Sequence, residues 1–264
     1  MINFKNTKIY KKPFPIYEVN NFFDDSELEK IITAFPHYNE FIKFKKTMGN
    51  RRFLSNDNPD FFNFINKKKI WKKFYNLINT QVFFLNILKN FKKISNNKQI
   101  NKFEKLKYNT KLYKKNYLNF VLSYISREFT QLLPRNKFLN FFRQKIKDIL
   151  FKKKENSQEL FLRFDISSAF NGYSRESHRD SDGTIIAFLI YLEDYKNIGG
   201  SGGEFIIHDK NQRVIKKIKP KKNKAIFFLS NENSFHSVSR IIKAKSWRKF
   251  LYGGYTANNK NIWK

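Results

Sequence analysis

Cysteine is absent from the 264 residues. That absence excludes disulfides, thiolate metal sites and cysteine nucleophiles together, and leaves any transition metal to histidine, aspartate and glutamate. Histidine is itself scarce, with 4 copies. No apolar run approaches the roughly 18 uncharged residues of a membrane span. The opening MINFKNTKIYKKPFPIYEVN has no continuous apolar stretch ahead of a small-residue cleavage site. The expectation is a cytoplasmic protein with no membrane partner. Arginine-specific nucleic-acid readout motifs, zinc fingers and a compact glycine-aromatic RNA-binding signature are also missing. No long period repeats along the chain, and no Ser-His-Asp arrangement is supported.

What is present is positive charge: 53 Lys and Arg against 22 Asp and Glu, a formal net charge of +31. Such an excess suits nucleic acid or another polyanion, because clustered lysines release counterions. Lys, Asn, Ile, Phe and Tyr also share A/T-rich codons, so a low-GC genome produces the same composition without any polyanion partner. The charge alone does not choose between these. Hydrophobic residues make up 41% of the chain and include 31 Phe, which excludes a disordered reading and predicts one domain over residues 1–264.

NNFFDDSELEKIITAFPHY reads as a helix that Asp24, Asp25 or Ser26 can cap, with Leu28, Ile31, Ile32 and Phe35 on one buried face. Further amphipathic helices begin near Asn58-Pro59-Asp60. Residues 1–157 are thus expected to be mainly helical, with a basic helical insertion around 92–157 that breaks at Pro134. After residue 158 the texture changes. ELFLRFDISSAF, TIIAFLIYLED, GGEFIIHD, RVIKKIKP, KAIFFLS and KFLYGGYTA are short β-favouring runs separated by turn signals. Helices followed by many strands predict an α+β fold whose sheets occupy residues 158–258.

The chemistry concentrates in YSRESHRDSDGTIIAFLIYLED. A lone H-x-[D/E] is weak evidence, but two further features join it. If residues 176 to 181 end a strand, its period of two puts His178 and Asp180 on one face, with Arg179 pointing away. His236, after the apolar run AIFFL, is far enough along for antiparallel strands to bring it back beside them. Two imidazoles and one carboxylate on one face of an octahedron form the facial triad of non-haem Fe(II) oxygenases. Arg248 follows in a strand-like run where Arg248, Phe250 and Tyr252 share a face, and its planar fork suits a carboxylate.

At this point the chain, from about Leu160 to Tyr255, resembles the Fe(II)- and 2-oxoglutarate-dependent oxygenases, closest to their prolyl 4-hydroxylase-like branch. The resemblance is carried by His178-Arg179-Asp180, FLIYLED, GGSGGEF, His236-Ser237-Val238 and Arg248. It implies a double-stranded β-helix, or jelly roll, buttressed by the N-terminal helices. It also implies Fe(II) held by His178, Asp180 and His236, with Arg248 binding the far carboxylate of the co-substrate 2-oxoglutarate and Tyr191 adding a hydroxyl. There are two departures. The interval from His236 to Arg248 is slightly longer than usual, with IIKAKS expected to widen a turn and Arg240 as a fallback. Where the family often has a small hydroxyl residue two places after the arginine this chain has Phe250, which leaves Tyr191 or Tyr252 to take that part.

The activity implied is O₂-dependent hydroxylation of a small molecule, amino acid or peptidyl side chain, with release of succinate and CO₂. The related halogenases carry a small residue at the position of Asp180, so halogenation is disfavoured. The alternatives are an oxygenase acting on nucleic acid, or a non-catalytic basic nucleic-acid-binding protein. The first lacks the second arginine soon after Arg248 that oxidative demethylases usually have, and the intact residue set argues against the second. Arg163, Asn171, Tyr173 and Arg179 are expected near the mouth. His208 reads as a hairpin-edge histidine and His37 as a surface or packing residue. The glycines of NIGGSGGEF lack the Gly-Lys-Ser/Thr ending of a phosphate loop and read as a flexible turn into a strand.

Overall fold

The computed structural model describes residues 1–43, 50–95, 99–110, 159–194, 199–257 and 262–263. The N-terminal part contains β1 (Asn6–Tyr10), β2 (Ile16–Asn20), α1 (Asp25–Thr33), a 3-10 turn (Tyr38–Glu40), β3 (Ile42–Lys43), β4 (Arg51–Ser55), α2 (Pro59–Lys67), α3 (Lys69–Ile78) and α4 (Gln81–Lys92). α5 (Gln99–Phe103) and the short β5 (Lys107–Tyr108) follow. Then come β6 (Glu159–Ala169), β7 (Arg175–His178), β8 (Thr184–Tyr191), β9 (Phe205–His208), β10 (Val214–Ile218), β11 (Lys224–Leu229), β12 (His236–Val238) and β13 (Arg248–Ala257). Most of the expected basic insertion around 92–157, including Pro134, lies outside the described residues.

The helices form where capping and periodicity place them. Asn58 accepts a hydrogen bond from the Asp60 N–H at 3.0 Å and Pro59 occupies the first turn, so α2 starts at the expected point. α3 buries Trp71, Phe74, Tyr75 and Ile78 along one stripe. α1 buries Leu28 and Ile31. Asp24 stands at its N-cap in extended geometry, but its carboxylate accepts from the N-terminal ammonium at 2.6 Å instead of closing the helix.

The strands make two sheets. The larger has nine strands in the order β1-β2-β11-β8-β13-β6-β4-β3, with β5 beside β6, and the smaller has four in the order β10-β9-β12-β7. Every pairing is antiparallel except β5 with β6. Strict alternation divides the larger sheet between two cores. Its outer face, with Phe164, Ile166, Phe188, Phe227, Leu251 and Tyr255, packs with the helices in one cluster. Its inner face sets Leu189, Tyr191, Ile226, Phe228 and Phe250 against Phe205, Ile207 and Ile218 of the smaller sheet.

The first third differs from the expectation of a mainly helical region in one respect: β1, β2, β3 and β4 add four strands to the larger sheet. β2 is buried on both faces and carries Glu18 in its middle, so no polar alternation announces a strand. Glu18 is tolerated because Lys224 pairs with it at 2.7 Å and the Tyr10 hydroxyl donates to it at 2.8 Å. In β4, Arg51 is likewise buried and meets Asp165 at 3.1 Å. In both strands the neutralising partner lies more than a hundred residues away.

Phe164 joins the sheet to the helices. It is fully buried, and its ring lies 5.9 to 6.4 Å from those of Phe61, Phe74, Tyr75 and Phe188. Phe164→Ala is expected to cost about 3–5 kcal/mol. A urea titration should show a lower midpoint at unchanged slope; a loss below about 1 kcal/mol would show that this face is not the central helix–sheet contact.

Candidate active site

The site begins with a strand pairing. β12 lies antiparallel to β7 with His236 opposite His178, and the two imidazole centroids are 4.4 Å apart. β7 ends at His178, so Asp180 sits just beyond the strand rather than within it. It still turns to the same side: one ligand atom each from His178, Asp180 and His236 lies within 4.8 Å of the others.

Each group is oriented by a neighbour. His178 Nδ1 lies 2.8 Å from the Glu176 carbonyl and His236 Nδ1 lies 2.9 Å from the Ser234 carbonyl. A carbonyl only accepts, so both Nδ1 atoms carry a proton and each ring turns its Nε2 toward the site. Tyr252 donates its hydroxyl to Asp180 Oδ1 at 2.9 Å. Asp180 Oδ2 is buried without a hydrogen-bond partner, 4.0 Å from His236 Nε2. Burial, followed by His236 and Arg175 nearby, lowers His178 from 6.5 to about 4, so its ring is neutral at neutral pH. Phe205 stacks on His236 at 5.3 Å and Phe228 meets it at 4.8 Å, which fixes the ring. Two imidazole nitrogens and one orphaned carboxylate oxygen on one side of a cavity suit a first-row divalent ion.

Beside the triad lies a second unsatisfied pair. Arg248 is 2% exposed, its Nη1 donates to the Gly203 carbonyl at 2.9 Å, and its Nε has no hydrogen-bond partner. No carboxylate pairs with it among the described residues. Tyr191 is fully buried with its hydroxyl also unpartnered, and the guanidinium stands 5.6 Å from its ring. Burial pushes the Tyr191 phenol up, with Arg248 pulling the other way, so it remains a donor. A buried guanidinium and a phenolic donor without acceptors fit a carboxylate supplied from outside.

The glycine run, read from sequence as a flexible turn, has a steric task here. Gly203 holds φ +75°, and a Cβ there would lie 1.8 Å from Arg248 Nη1. Only glycine lets the carbonyl reach the guanidinium. IIKAKS does more than widen a turn: Ile242 bridges to Ser201, while Ala244 exchanges hydrogen bonds with Asn171 through its N–H at 2.7 Å and its carbonyl at 3.1 Å. Asn171 therefore fastens this segment and does not face the cavity. Arg240, the fallback, is exposed and lines no part of it.

The cavity holds about 260 Å³. His178, Asp180, His236, Arg248 and Tyr191 all line it, as do the expected mouth residues Arg163, Tyr173 and Arg179. Tyr252 lines it too, but its hydroxyl serves Asp180, which leaves Tyr191 as the phenol beside Arg248. His208 takes no part: its ring bonds Ser237 Oγ at 2.7 Å. His37 is exposed. Sequence reasoning missed Arg51, Arg175, Phe205 and Phe228 as lining residues. Neither arginine was accessible: three places before His178 a period of two puts Arg175 on the opposite face, and the β7–β12 pairing shifts register between these two residues, while Arg51 lies in a strand not foreseen.

Residues 165–256 match the family described as the 2OG-Fe(II) oxygenase superfamily. No curated protein matches the chain. Among solved structures the chain is similar to an oxidoreductase of the 2OG-Fe(II) oxygenase family from Burkholderia pseudomallei, at 15% identity and TM-score 0.32 over 56% of this chain and 60% of that one. It is similar to a prolyl-4-hydroxylase from Pseudomonas putida at 10% identity and TM-score 0.46, over 92% and 93% of the two chains. A third is a prolyl hydroxylase from Trichoplax adhaerens, in complex with a hypoxia inducible factor peptide fragment, at 10% identity and TM-score 0.42 over 93% and 85%. The matched segment contains the whole His-x-Asp and distant His constellation, so over residues 165–256 this chain is similar to the 2OG-Fe(II) oxygenase superfamily.

Proposed function

We propose that the protein hydroxylates a small molecule, amino acid or peptidyl side chain, converting 2-oxoglutarate and O₂ to succinate and CO₂. The observation that carries this reading is the coincidence of two unsatisfied sets in one cavity. Two Nε2 atoms face an orphaned carboxylate oxygen, and a buried guanidinium without a carboxylate partner among the described residues stands close by. The winding supports it as well. From β6 to β13 the chain passes alternately between the two sheets, with only the β9–β10 hairpin remaining in the smaller. That path supports the reading of the core as a double-stranded β-helix. The order of motifs, His-x-Asp, Tyr-Leu, Gly-Gly, His-x-Val and Arg, favours the prolyl 4-hydroxylase-like branch.

In this reading His178, Asp180 and His236 hold Fe(II), which supplies the oxidative chemistry that turns a substrate C–H into C–OH. The Tyr252 hydroxyl donates to Asp180 Oδ1 and would leave Oδ2 as the oxygen that holds the metal. Arg248 pairs with the far carboxylate of 2-oxoglutarate and Tyr191 donates to the same group, with Gly203 keeping the guanidinium in place. Leu189, Phe205, Phe228 and Val238 present apolar surface around the reacting atoms and exclude water.

Anaerobic addition of Fe(II) and then 2-oxoglutarate should give a weak visible charge-transfer band in the wild type and none in His236→Ala. A folded wild type that binds neither would overturn the reading. Tyr252→Phe frees Asp180 to rotate and should weaken Fe(II) binding about 10–100-fold, measured by competition with a chelator; unchanged affinity would show that the carboxylate needs no such support. Arg248→Ala and Gly203→Ala should each weaken 2-oxoglutarate about tenfold or more while Fe(II) affinity holds. Parallel loss of metal and co-substrate in both would sink the assignment of Arg248.

A further inference from the structure

The basic residues of this chain are unevenly used. Arginine supplies 11 of its 53 basic residues, the rest being lysine. Yet among the described residues every cation lining the cavity is an arginine: Arg51, Arg163, Arg175, Arg179 and Arg248. Codon bias explains abundant lysine, but it does not gather arginines in one place. They are also distributed by wall. Arg51 and Arg163 come from β4 and β6 of the larger sheet, while Arg175 and Arg179 come from β7 and the residue following it at the edge of the smaller one.

The local charge is unbalanced. Asp180 is the one carboxylate among the described lining residues, and Asp165 lies beneath, 3.1 Å from Arg51 and 3.6 Å from Arg163. Among the described residues, five guanidinium groups against these two carboxylates leave a formal excess of three positive charges. A divalent metal and a dianionic keto-acid cancel each other, so the excess persists with both bound. Arg51 is built in as support, buried on Asp165 and on Ser167 Oγ at 2.8 Å. The Arg163 side chain is 39% exposed and lies 5.7 Å from the Tyr252 ring. Arg175 is half-buried with Nη2 3.5 Å from His178 Nε2, and Arg179 is exposed at the rim over Phe235 at 5.6 Å.

We propose that the substrate is a small molecule bearing a carboxylate or phosphate, which Arg163, Arg175 and Arg179 grip at the mouth while its reacting C–H faces the triad. This rests on the oxygenase reading above and adds the substrate class. Guanidinium forks match both anions in a bidentate manner where lysine does not. The space of about 260 Å³ falls below the roughly 300–1,000 Å³ of drug-sized pockets, which favours a compact anion over a nucleic-acid strand. Arginines on opposite walls give the anion two points of contact, so it also orients the rest of the substrate.

The test uses the full chain with Mn(II) and 2-oxoglutarate, a pairing that holds the site without turnover. Inorganic phosphate and, separately, acetate are titrated calorimetrically at constant ionic strength against the wild type, Arg163→Gln and the double variant Arg175→Gln/Arg179→Gln. Saturable binding of one anion, weakened about tenfold in each variant with 2-oxoglutarate affinity unchanged, is the expected result, and the anion that binds names the group. If neither anion binds while 2-oxoglutarate does, or if the variants bind the anion as well as the wild type, the proposal falls and the oxygenase reading stands. Loss of 2-oxoglutarate binding in the variants would assign these arginines to the co-substrate and likewise overturn it. Anion binding without any uptake of Mn(II) or 2-oxoglutarate would uphold the arginine site and overturn the oxygenase reading.

Discussion

The site depends on the register of an antiparallel ladder. His178 and His236 face one another because β7 and β12 pair with those two residues opposite. Because side chains alternate with a period of two, a slip of one residue in β12 would turn its imidazole to the outer face of the smaller sheet. The same rule operates in the larger sheet. Arg248, Phe250 and Tyr252 of β13 point inward only because Leu251 and Tyr255 are drawn into the helix-side core. The helices therefore matter to the chemistry without approaching it. By burying one face of β13 they fix which residues the other face presents.

That dependence explains what could be read from the sequence. The strands of residues 159–257 were visible as short β-favouring runs between turn signals, and a period of two set Arg248, Phe250 and Tyr252 on one face, whereas Asp180 reaches the cavity from beyond the end of β7. The helix at Asn58-Pro59-Asp60 was legible because its start signal is local. Glu18 and Arg51 were not, because the groups that make their burial tolerable, Lys224 and Asp165, are remote in the chain. A charged residue in a buried strand looks like a loop until its partner is known. Gly203 was misread for a related reason: the need for glycine there comes from Arg248 across the fold, whereas the sequence shows only a glycine-rich turn.

Tyr252 illustrates how a single side chain couples the two kinds of information. Its position on the inner face followed from the alternation of β13, but its partner did not. The phenol reaches Asp180, beyond the end of β7, and burial together with that carboxylate holds it firmly protonated. It is a fixed donor within the cavity rather than a titrating one. Phe250 beside it gives the cavity an apolar ring where a hydroxyl residue is common in the family, and it lies 5.5 Å beneath the Arg248 guanidinium.

The pairing of β5 with β6 has a topological consequence. Lys107 is in register with Glu159 and Tyr108 with Leu160, two strands running the same way side by side. The chain therefore leaves the larger sheet and rejoins it at neighbouring points, one strand away from β13. Because closure entropy grows only with the logarithm of loop length, the sheet places little demand on how many residues lie between. This seam is a natural splice point, where the length between the two strands can change while the strands and the cavity stay the same.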